Sequence, residues 1–240
     1  MLSQYVAETQ DLLNDQQAQL FRVPTVVNYV NRARRRIAAI SGCLRCIPPG
    51  TQTIGGQEIY PFSDWQALVQ TAMVGSVSIL ACRSLAVSIG GKWQGDKIVG
   101  GSWRPLWKRL PYTDFAARFR IYGGTFIGQY SDAGWYSQFG LGPAGKLYLA
   151  PIPTMRYPLE VDLTLIPQRL LNDNDPEPMP YPWTDCVCYL AAMFCYLQNQ
   201  RPQDAAAMTQ LFNSLMPEAA AVVGPTMMIN PYATGIQRSA

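Results

Sequence analysis

The chain has no histidine among its 240 residues, and this limits the chemistry that it could perform. A Ser-His-Asp triad, a histidine-ligated metal site and the usual general base near neutral pH all require that residue. Catalysis would have to use carboxylates, lysine, tyrosine or cysteine alone, and the sequence pairs no nucleophile with a base. We therefore expect a protein that is not an enzyme and that uses no cofactor.

The cysteines are the next candidates for chemistry, and they lie at positions 43, 46, 82, 186, 188 and 195. Cys43 and Cys46 have the spacing of half a zinc site, but a second CxxC motif is missing, and Cys186 and Cys188 are too close together to supply one. Because cysteine also packs as a small hydrophobic residue, we predict free, buried thiols and no bound metal.

Two further motifs are similar to ligand-binding loops but lack essential parts. The glycine-rich residues 140–146 lead into a segment that has the pattern of a strand, whereas a phosphate-binding loop leads into a helix, so a hairpin loop is predicted. Asp173, Asp175 and Glu177 are similar to part of a calcium loop without its glycine and its bidentate glutamate. This favours a solvated linker and leaves a weak cation site open.

Arginines cluster in the segment that we predict as the second helix. Arg34 falls on its apolar side, and the other arginines spread over the rest of its circumference. The cluster is explained either by a solvated face with one buried ion pair, from Arg34 to Asp11 or Asp15, or by an interface with an acidic partner. The candidate interface residues on this helix are Arg32, Arg35 and Arg36.

A second basic segment covers residues 97–120, where six basic residues stand against one acidic residue and tryptophans lie between them. Tryptophan and arginine dominate protein–protein contacts, which favours an interface. A solvated loop, or stacking and charge contacts with single-stranded nucleic acid, would explain the same composition. The candidate residues in this segment are Trp103, Arg104, Trp107, Lys108 and Arg109.

Four helices are predicted from apolar residues that recur at three- and four-residue steps. The first covers residues 2–13, and the second covers residues 24–42, between a favourable N-terminal proline and a terminating glycine. The third covers residues 183–199, and the fourth begins at Pro202, with Pro217 expected to kink or end it. Neither pair has enough apolar surface for a core of its own, so the four helices are expected to form one bundle.

The chain between these helix pairs is rich in glycine, proline, and β-branched or aromatic residues. The best strand candidates are residues 54–62, 76–88, 117–122, 146–150 and 159–166. No crossover helices separate them, which favours an antiparallel β-sandwich or a small barrel over a parallel α/β sheet.

The sequence therefore predicts an α+β protein with a discontinuous helical domain. Residues 1–42 and 181–224 form a four-helix bundle, and residues 43–180 form an inserted, antiparallel, β-sandwich-like domain. Residues 225–240 carry one charge and no periodicity, which predicts an extended C-terminal tail. This tail holds four apolar residues that a solvated segment would not need and that we treat as interface candidates: Met227, Met228, Ile229 and Tyr232.

Composition limits the class of protein further. The chain is 48% apolar and only 15% charged, which excludes disorder over its whole length. Its net charge of +3 is too small to argue for nucleic-acid binding on its own. No signal peptide is evident, and no apolar stretch reaches the roughly 18 residues of a membrane span. We therefore expect synthesis in the cytoplasm and no membrane partner.

At several points the sequence resembles the head-to-tail adaptor (connector, or head-completion) proteins of tailed bacteriophages. The similar motifs near the start are Tyr5-Val6, Leu12-Leu13-Asn14-Asp15, Val27-x-Tyr29-Val30-Asn31-x-Ala33-Arg34 and Ser41-Gly42-Cys43. The later ones are Arg104-Pro105-Leu106, Leu147-Tyr148-Leu149-Ala150-Pro151-Ile152-Pro153, Ile166-Pro167-x-x-Leu170, Pro180-Tyr181-Pro182-Trp183 and an alanine-rich helix over residues 189–200. The resemblance covers residues 3–220, and residues 91–142 depart from it.

The resemblance implies a structural part of the virion at the head-tail junction. Such adaptors form a ring, typically of twelve copies, below the portal protein, and their C-terminal segments grip the portal. They extend the DNA channel, dock the tail or nozzle protein, and let genomic DNA pass without sequence-specific contact. The alternative is a binding module for single-stranded nucleic acid that uses residues 97–120, and a carboxylate-based hydrolase is a distant third.

Overall fold

A computed structural model describes residues 1–95, 97–105, 108–121 and 134–223. The chain divides into two compact units. The first, here called the helical unit, comprises Met1–Cys43, Leu170–Asp175 and the chain from Met179 onward. The second, the sheet unit, comprises Leu44–Arg169 and Pro176–Pro178.

Helices and strands both occur, so the protein is α+β. In chain order the α-helices are α1 (Leu2–Leu12), α2 (Val23–Ser41), α3 (Phe62–Ala72), α4 (Tyr112–Ala116), α5 (Asp185–Gln198) and α6 (Pro202–Val223). The strands are β1 (Arg45–Cys46), β2 (Ile59–Pro61), β3 (Val77–Ile89), β4 (Lys92–Gln94), β5 (Lys97–Val99), β6 (Ser102–Pro105), β7 (Lys108–Arg109), β8 (Trp135–Phe139), β9 (Lys146–Ala150) and β10 (Leu159–Pro167). A π-helical turn, Ala117–Ile121, follows α4, and a 3-10 turn, Gly142–Ala144, lies between β8 and β9.

Local sequence fixes both ends of α2. Pro24 lies in its first turn, where a missing N–H group leaves no hydrogen bond unmade. Gly42 follows the helix at a φ of +61°, and its N–H donates to the carbonyl of Ala38, which closes the last turn. The predicted second helix is confirmed. Its fully buried apolar residues recur at three- and four-residue steps: Val26, Val30, Ala33 and Ile37.

The central helix of the helical unit is α5. It packs against α1, α2 and α6, and most of its circumference is buried. The hydroxyl of Tyr196 donates to the carbonyl of Leu12 at 3.1 Å, which ties α5 to the end of α1. The predicted contact between the helices of the two chain ends is therefore confirmed.

The predicted four-helix bundle is wrong, because α6 does not bury a broad face against the other three helices. The buried residues of α6 within residues 202–221 are Ala205, Phe212 and Ala219, and half-buried residues lie between them at the spacing of a coiled-coil seam: Met208, Thr209, Leu215 and Met216. A bundle helix buries a wider stripe. The helical unit is instead a cluster of α1, α2 and α5, with α6 lying along α5.

Pro217 does not end α6, so the predicted end is wrong, and the predicted kink stays a prediction. The helix continues to Val223. Proline removes the hydrogen bond to the carbonyl four residues earlier, which here belongs to Asn213. Both residues are exposed, so water can bind the carbonyl and the helix can continue.

Within the described ranges, the strands of the sheet unit form two four-stranded sheets and one hairpin. The first sheet has the order β1-β10-β3-β6, the second has the order β2-β9-β8-β7, and β4 pairs with β5. All neighbours are antiparallel except β7 and β8, which are parallel. Residues 140–146 connect β8 to β9 as the predicted hairpin loop.

The predicted β-sandwich is also wrong. Only β3 and β10 are long, with 13 and 9 residues, and most of the other strands are too short to build a core between two facing sheets. A helix covers the second sheet instead. Phe115 of α4 is fully buried in a cluster with Tyr148 and Ala150 of β9, and the rings of Phe115 and Tyr148 have centroids 6.2 Å apart.

Two segments predicted as strands differ in the structure. Of residues 54–62, only Ile59–Pro61 forms a strand, and α3 begins at Phe62. Residues 117–122 were predicted to be extended, but Ala117–Ile121 forms the π-helical turn. The buried residues of α3 have helical spacing, namely Phe62, Trp65 and Val69.

Candidate interaction surface

The exposed side of α2 carries the arginines predicted as an interface. Arg32, Arg35 and Arg36 are exposed, whereas Arg34 is fully buried. Because an α-helix has 3.6 residues per turn, positions 32, 35 and 36 share one side of α2. We call these three residues the arginine face.

Phe194 of α5 anchors the arginine face. The guanidinium carbon of Arg32 lies 4.4 Å from the centre of the Phe194 ring, which is a cation–π distance. Tyr29 packs on the same ring, with centroids 5.9 Å apart. The Nε of Arg35 donates to the carbonyl of Asn31 at 3.3 Å. Two of the three arginines are therefore held in place on the surface.

Asn31 lies beneath the arginine face and is only 1% exposed. Its side-chain Nδ2 donates to the carbonyl of Leu170 at 3.1 Å, and its Oδ1 accepts from the N–H of Leu170 at 2.8 Å. The same Oδ1 accepts from Nη1 of Arg34 at 3.0 Å. One buried amide therefore joins α2 to the segment Leu170–Asp175.

The sequence leaves open a buried ion pair from Arg34 to Asp11 or Asp15. In the structure Arg34 is buried, and its charge acts on Asp175. The pKa of Asp175 is lowered first by two hydrogen bonds from the backbone of its own loop and then by the charge of Arg34. Asp15 instead accepts backbone hydrogen bonds in the turn between α1 and α2.

Asp173, a residue of the predicted linker, caps α1. Its carboxylate accepts the N–H of Ser3 in the first turn of that helix, and this hydrogen bond lowers the pKa of Asp173. Across the described ranges, no group of three histidine, cysteine, aspartate or glutamate side chains could hold a metal ion. The carboxylates of Asp173 and Asp175 thus bind backbone groups.

A groove of about 610 Å³ lies between α1, α5 and α6. Three carboxylates line it, those of Glu8, Asp11 and Asp185. Its apolar walls are Leu12, Tyr189 and Leu215. We call it the acidic groove. The sequence does not predict this groove, because it shows only the three-residue spacing of Glu8 and Asp11, and Asp185 joins them only when α5 packs beside α1.

The carboxylates of the acidic groove act on a neighbouring thiol. The Sγ of Cys188 donates to Oε2 of Glu8 at 3.2 Å. Burial, followed by this hydrogen bond and by the charge of Glu8, raises the pKa of Cys188 far above its ordinary value. The groove therefore has a negative electrostatic character.

Neither surface is neutralised by an ion pair with another described residue. Within the part of the chain that the structure describes, the groove carboxylates form no ion pair, and neither do the guanidinium groups of the arginine face. The helical unit thus presents one surface of each sign.

None of the six cysteines, all of which lie in the described ranges, forms a disulfide; five are buried and Cys43 is half-buried. Burial is the main cause that raises the pKa of Cys186 to about 11 and that of Cys195 to about 12. The thiolate is the nucleophilic form, and at neutral pH these groups are protonated. They pack as apolar residues of α5.

The structure divides the second basic segment among the β4–β5 hairpin, the two four-stranded sheets and the helical turns that follow them. Trp103 and Arg104 lie in β6 beside β3, in the first sheet. Lys108 and Arg109 lie in β7 beside β8, in the second sheet. Trp107 lies outside the described residues. Four tail candidates also lie outside them, namely Met227, Met228, Ile229 and Tyr232.

In the described ranges, no helix combines the length and the apolar character needed to cross a membrane. No protein-family model matches the chain, and no curated protein shows significant similarity to it.

Proposed function

We propose that this chain is a head-to-tail adaptor of a tailed bacteriophage. It forms a ring below the portal, continues the DNA channel and attaches the tail or nozzle. One observation carries most of the weight. Asn31 and Leu170 belong to two of the adaptor-like motifs, 139 positions apart, and they hydrogen-bond to each other in both directions.

Other adaptor-like motifs also occupy defined positions in the helical unit. Asp15 shapes the turn between α1 and α2, and Trp183, which precedes α5, is only 2% exposed. The carbonyl of Tyr5 lies within 3.8 Å of the Cys188 thiol of α5. These short motifs support one packed unit, as expected for a shared structural scaffold.

The two charged surfaces of the helical unit suit a protein whose work is binding other proteins. Its partners in this proposal are copies of itself, the portal protein and a tail or nozzle protein. Genomic DNA passes through the ring without sequence-specific contact. The chain is made in the host cytoplasm, ends in the virion at the head-tail junction, and needs neither a cofactor nor catalytic groups.

The alternative, a module for single-stranded nucleic acid, has less support. It requires the basic and aromatic residues of 97–120 to form one continuous strip. The structure divides their backbone among the β4–β5 hairpin, two different sheets and the helical turns that follow.

The proposal is tested by binding to the portal protein encoded in the same genome. Purified chain should co-sediment with portal rings and should leave a labelled single-stranded oligonucleotide unbound at physiological salt. Salt-sensitive binding of the oligonucleotide, together with no binding to portal rings, would contradict the adaptor proposal and favour the nucleic-acid module.

A further inference from the structure

The arginine face and the acidic groove carry opposite charges in similar number. The face presents the guanidinium groups of Arg32, Arg35 and Arg36, and the groove presents three carboxylates. Since no ion pair within the described chain neutralises either set, both remain available to a partner.

The two surfaces lie on different sides of the helical unit. Phe194, which holds Arg32, and Tyr189, which lines the groove, both belong to α5. They are five residues apart, so they project from that helix about 140° apart. The arginine face of a molecule is therefore directed away from its own groove, and each surface needs a second molecule.

We propose that the arginine face of one copy of this chain docks into the acidic groove of the next copy. The contact is heterologous, because two different surfaces meet, and such contacts repeat into a closed ring when the rotation between copies closes. The inference rests on the proposed function, since it names the subunit contact that would build the adaptor ring.

The chemistry of the groove suits arginine side chains. Guanidinium groups form strong charge-assisted hydrogen bonds with carboxylates, here those of Glu8, Asp11 and Asp185. The apolar walls can cover the aliphatic stems of the arginines while their charged ends reach the rim. A groove of about 610 Å³ has room for several such side chains.

A second copy of this chain could bind both the arginine face and the acidic groove, whereas a nucleic acid could bind only the arginine face. Phosphate groups would meet the arginine face but would be repelled by the carboxylates of the groove. The groove requires a cationic occupant, and this chain carries one on the exposed side of α2.

The test is a charge-reversal exchange between two variants. One variant, R35E/R36E, makes the arginine face acidic and keeps Arg32 on Phe194. The other, E8K/D11K, makes the groove basic and leaves Asp185 in the first turn of α5, where an acidic residue favours the helix. All four substituted residues are exposed, so both variants should fold, which circular dichroism checks.

Sedimentation velocity then measures self-association of the full chain. We expect the wild type to associate in a salt-sensitive way and each variant alone to associate at least about 30-fold more weakly. A mixture of the two variants should regain association, because each acidic surface now meets a basic one. The control R22E/R201E changes two exposed arginines of the same unit outside the face, and it should associate like the wild type.

Three results would overturn the inference: a wild type that stays monomeric, variants that associate as the wild type does, or a mixture that regains nothing. Loss of oligonucleotide binding in R35E/R36E without loss of self-association would assign the face to nucleic acid instead. Co-sedimentation with portal rings is measured separately, so the subunit contact can fail while the adaptor proposal stands.

Discussion

At the scale of single residues, Asn31 joins α2 to the segment Leu170–Asp175 through one side chain. It bonds to the carbonyl of Val27 in its own helix, to both backbone groups of Leu170, and to Arg34. The change Asn31→Ala would leave the N–H and the carbonyl of Leu170 buried without these partners. We expect it to lower the free energy of unfolding by about 2–4 kcal/mol, measured by urea denaturation.

The matched control is Asn213→Ala, at an exposed position of α6. Replacing this exposed asparagine should change the free energy of unfolding by no more than about 0.5 kcal/mol. If Asn31→Ala unfolded at the same urea concentration as Asn213→Ala, the bridge to Leu170 would not contribute to stability.

Asp15 should make the helical unit sensitive to acid. Burial disfavours its charged form, but the N–H groups of Gln19, Leu20 and Phe21 donate to it at 2.8, 2.9 and 2.6 Å, and the pKa of Asp15 is lowered. A carboxyl whose folded pKa is lowered stabilises the fold above its unfolded pKa of about 3.9, and this stability is lost as the pH falls toward the folded value.

We therefore expect the unfolding temperature to fall below about pH 4 and to fall less steeply in Asp15→Asn. Differential scanning calorimetry between pH 3 and pH 7 measures both curves. Glu218→Gln, at an exposed position of α6, is the control and should follow the wild type. If the unfolding temperature of Asp15→Asn fell with pH as steeply as that of the wild type, Asp15 would not be the cause of the acid sensitivity.

At the scale of elements, the coiled-coil seam decides how α6 is held on α5. Phe212 is 9% exposed in this seam, and its neighbour Leu211 is 44% exposed on the outer side of the same helix. We expect Phe212→Ala to lower the free energy of unfolding by about 3–5 kcal/mol and Leu211→Ala to lower it by well under about 1 kcal/mol, measured by chemical denaturation. Equal effects of the two changes would show that α6 does not pack through the seam.

The periodicity of apolar residues was sufficient to predict the helices and strands that bury only one side. It predicts the four helices of the helical unit and the strands β3, β9 and β10, because a half-buried element repeats its apolar residues with its own period. It failed at α3, where Pro61 and Phe62 follow a run of strand-forming residues. The spacing of Phe62, Trp65 and Val69 was a signal for a helix, but it is short.

Packing partners could not be predicted in the same way. The alanine-rich pattern of α6 predicts a helix. The narrow seam of α6 and its single main packing partner depend on the surface that α5 presents to it. The prediction of a β-sandwich failed for a similar reason. Phe115 of α4 packs on Tyr148 at the place where a second sheet was expected.

The same distinction holds for the candidate site. The residues of the arginine face, Arg32, Arg35 and Arg36, were predictable as interface candidates on α2, although their grouping on one side of the helix was seen only in the structure. The acidic groove was not, because Glu8 and Asp185 are far apart in the sequence and meet only when α1 and α5 pack together.

At the scale of the whole molecule, the tail stays a prediction, because residues 225–240 lie outside the described residues. We expect their deletion to leave the unfolding transition nearly unchanged and to abolish co-sedimentation with portal rings. The physical reason is that Met227, Met228, Ile229 and Tyr232 offer apolar anchors to an extended binding segment.

A chain whose tail is replaced by a glycine-serine segment of equal length controls for the loss of chain length. It should behave as the deletion does. If either altered chain bound portal rings with wild-type affinity, the tail would have no part in the attachment.

The most direct test of the adaptor proposal is to locate this chain in assembled phage particles. Antibody fragments raised against the purified protein and coupled to gold would be applied to particles and imaged by electron microscopy. The proposal predicts label confined to the head-tail junction, between the portal and the tail or nozzle. Label on the capsid shell or on tail fibres, or particles that carry none of this chain, would contradict it.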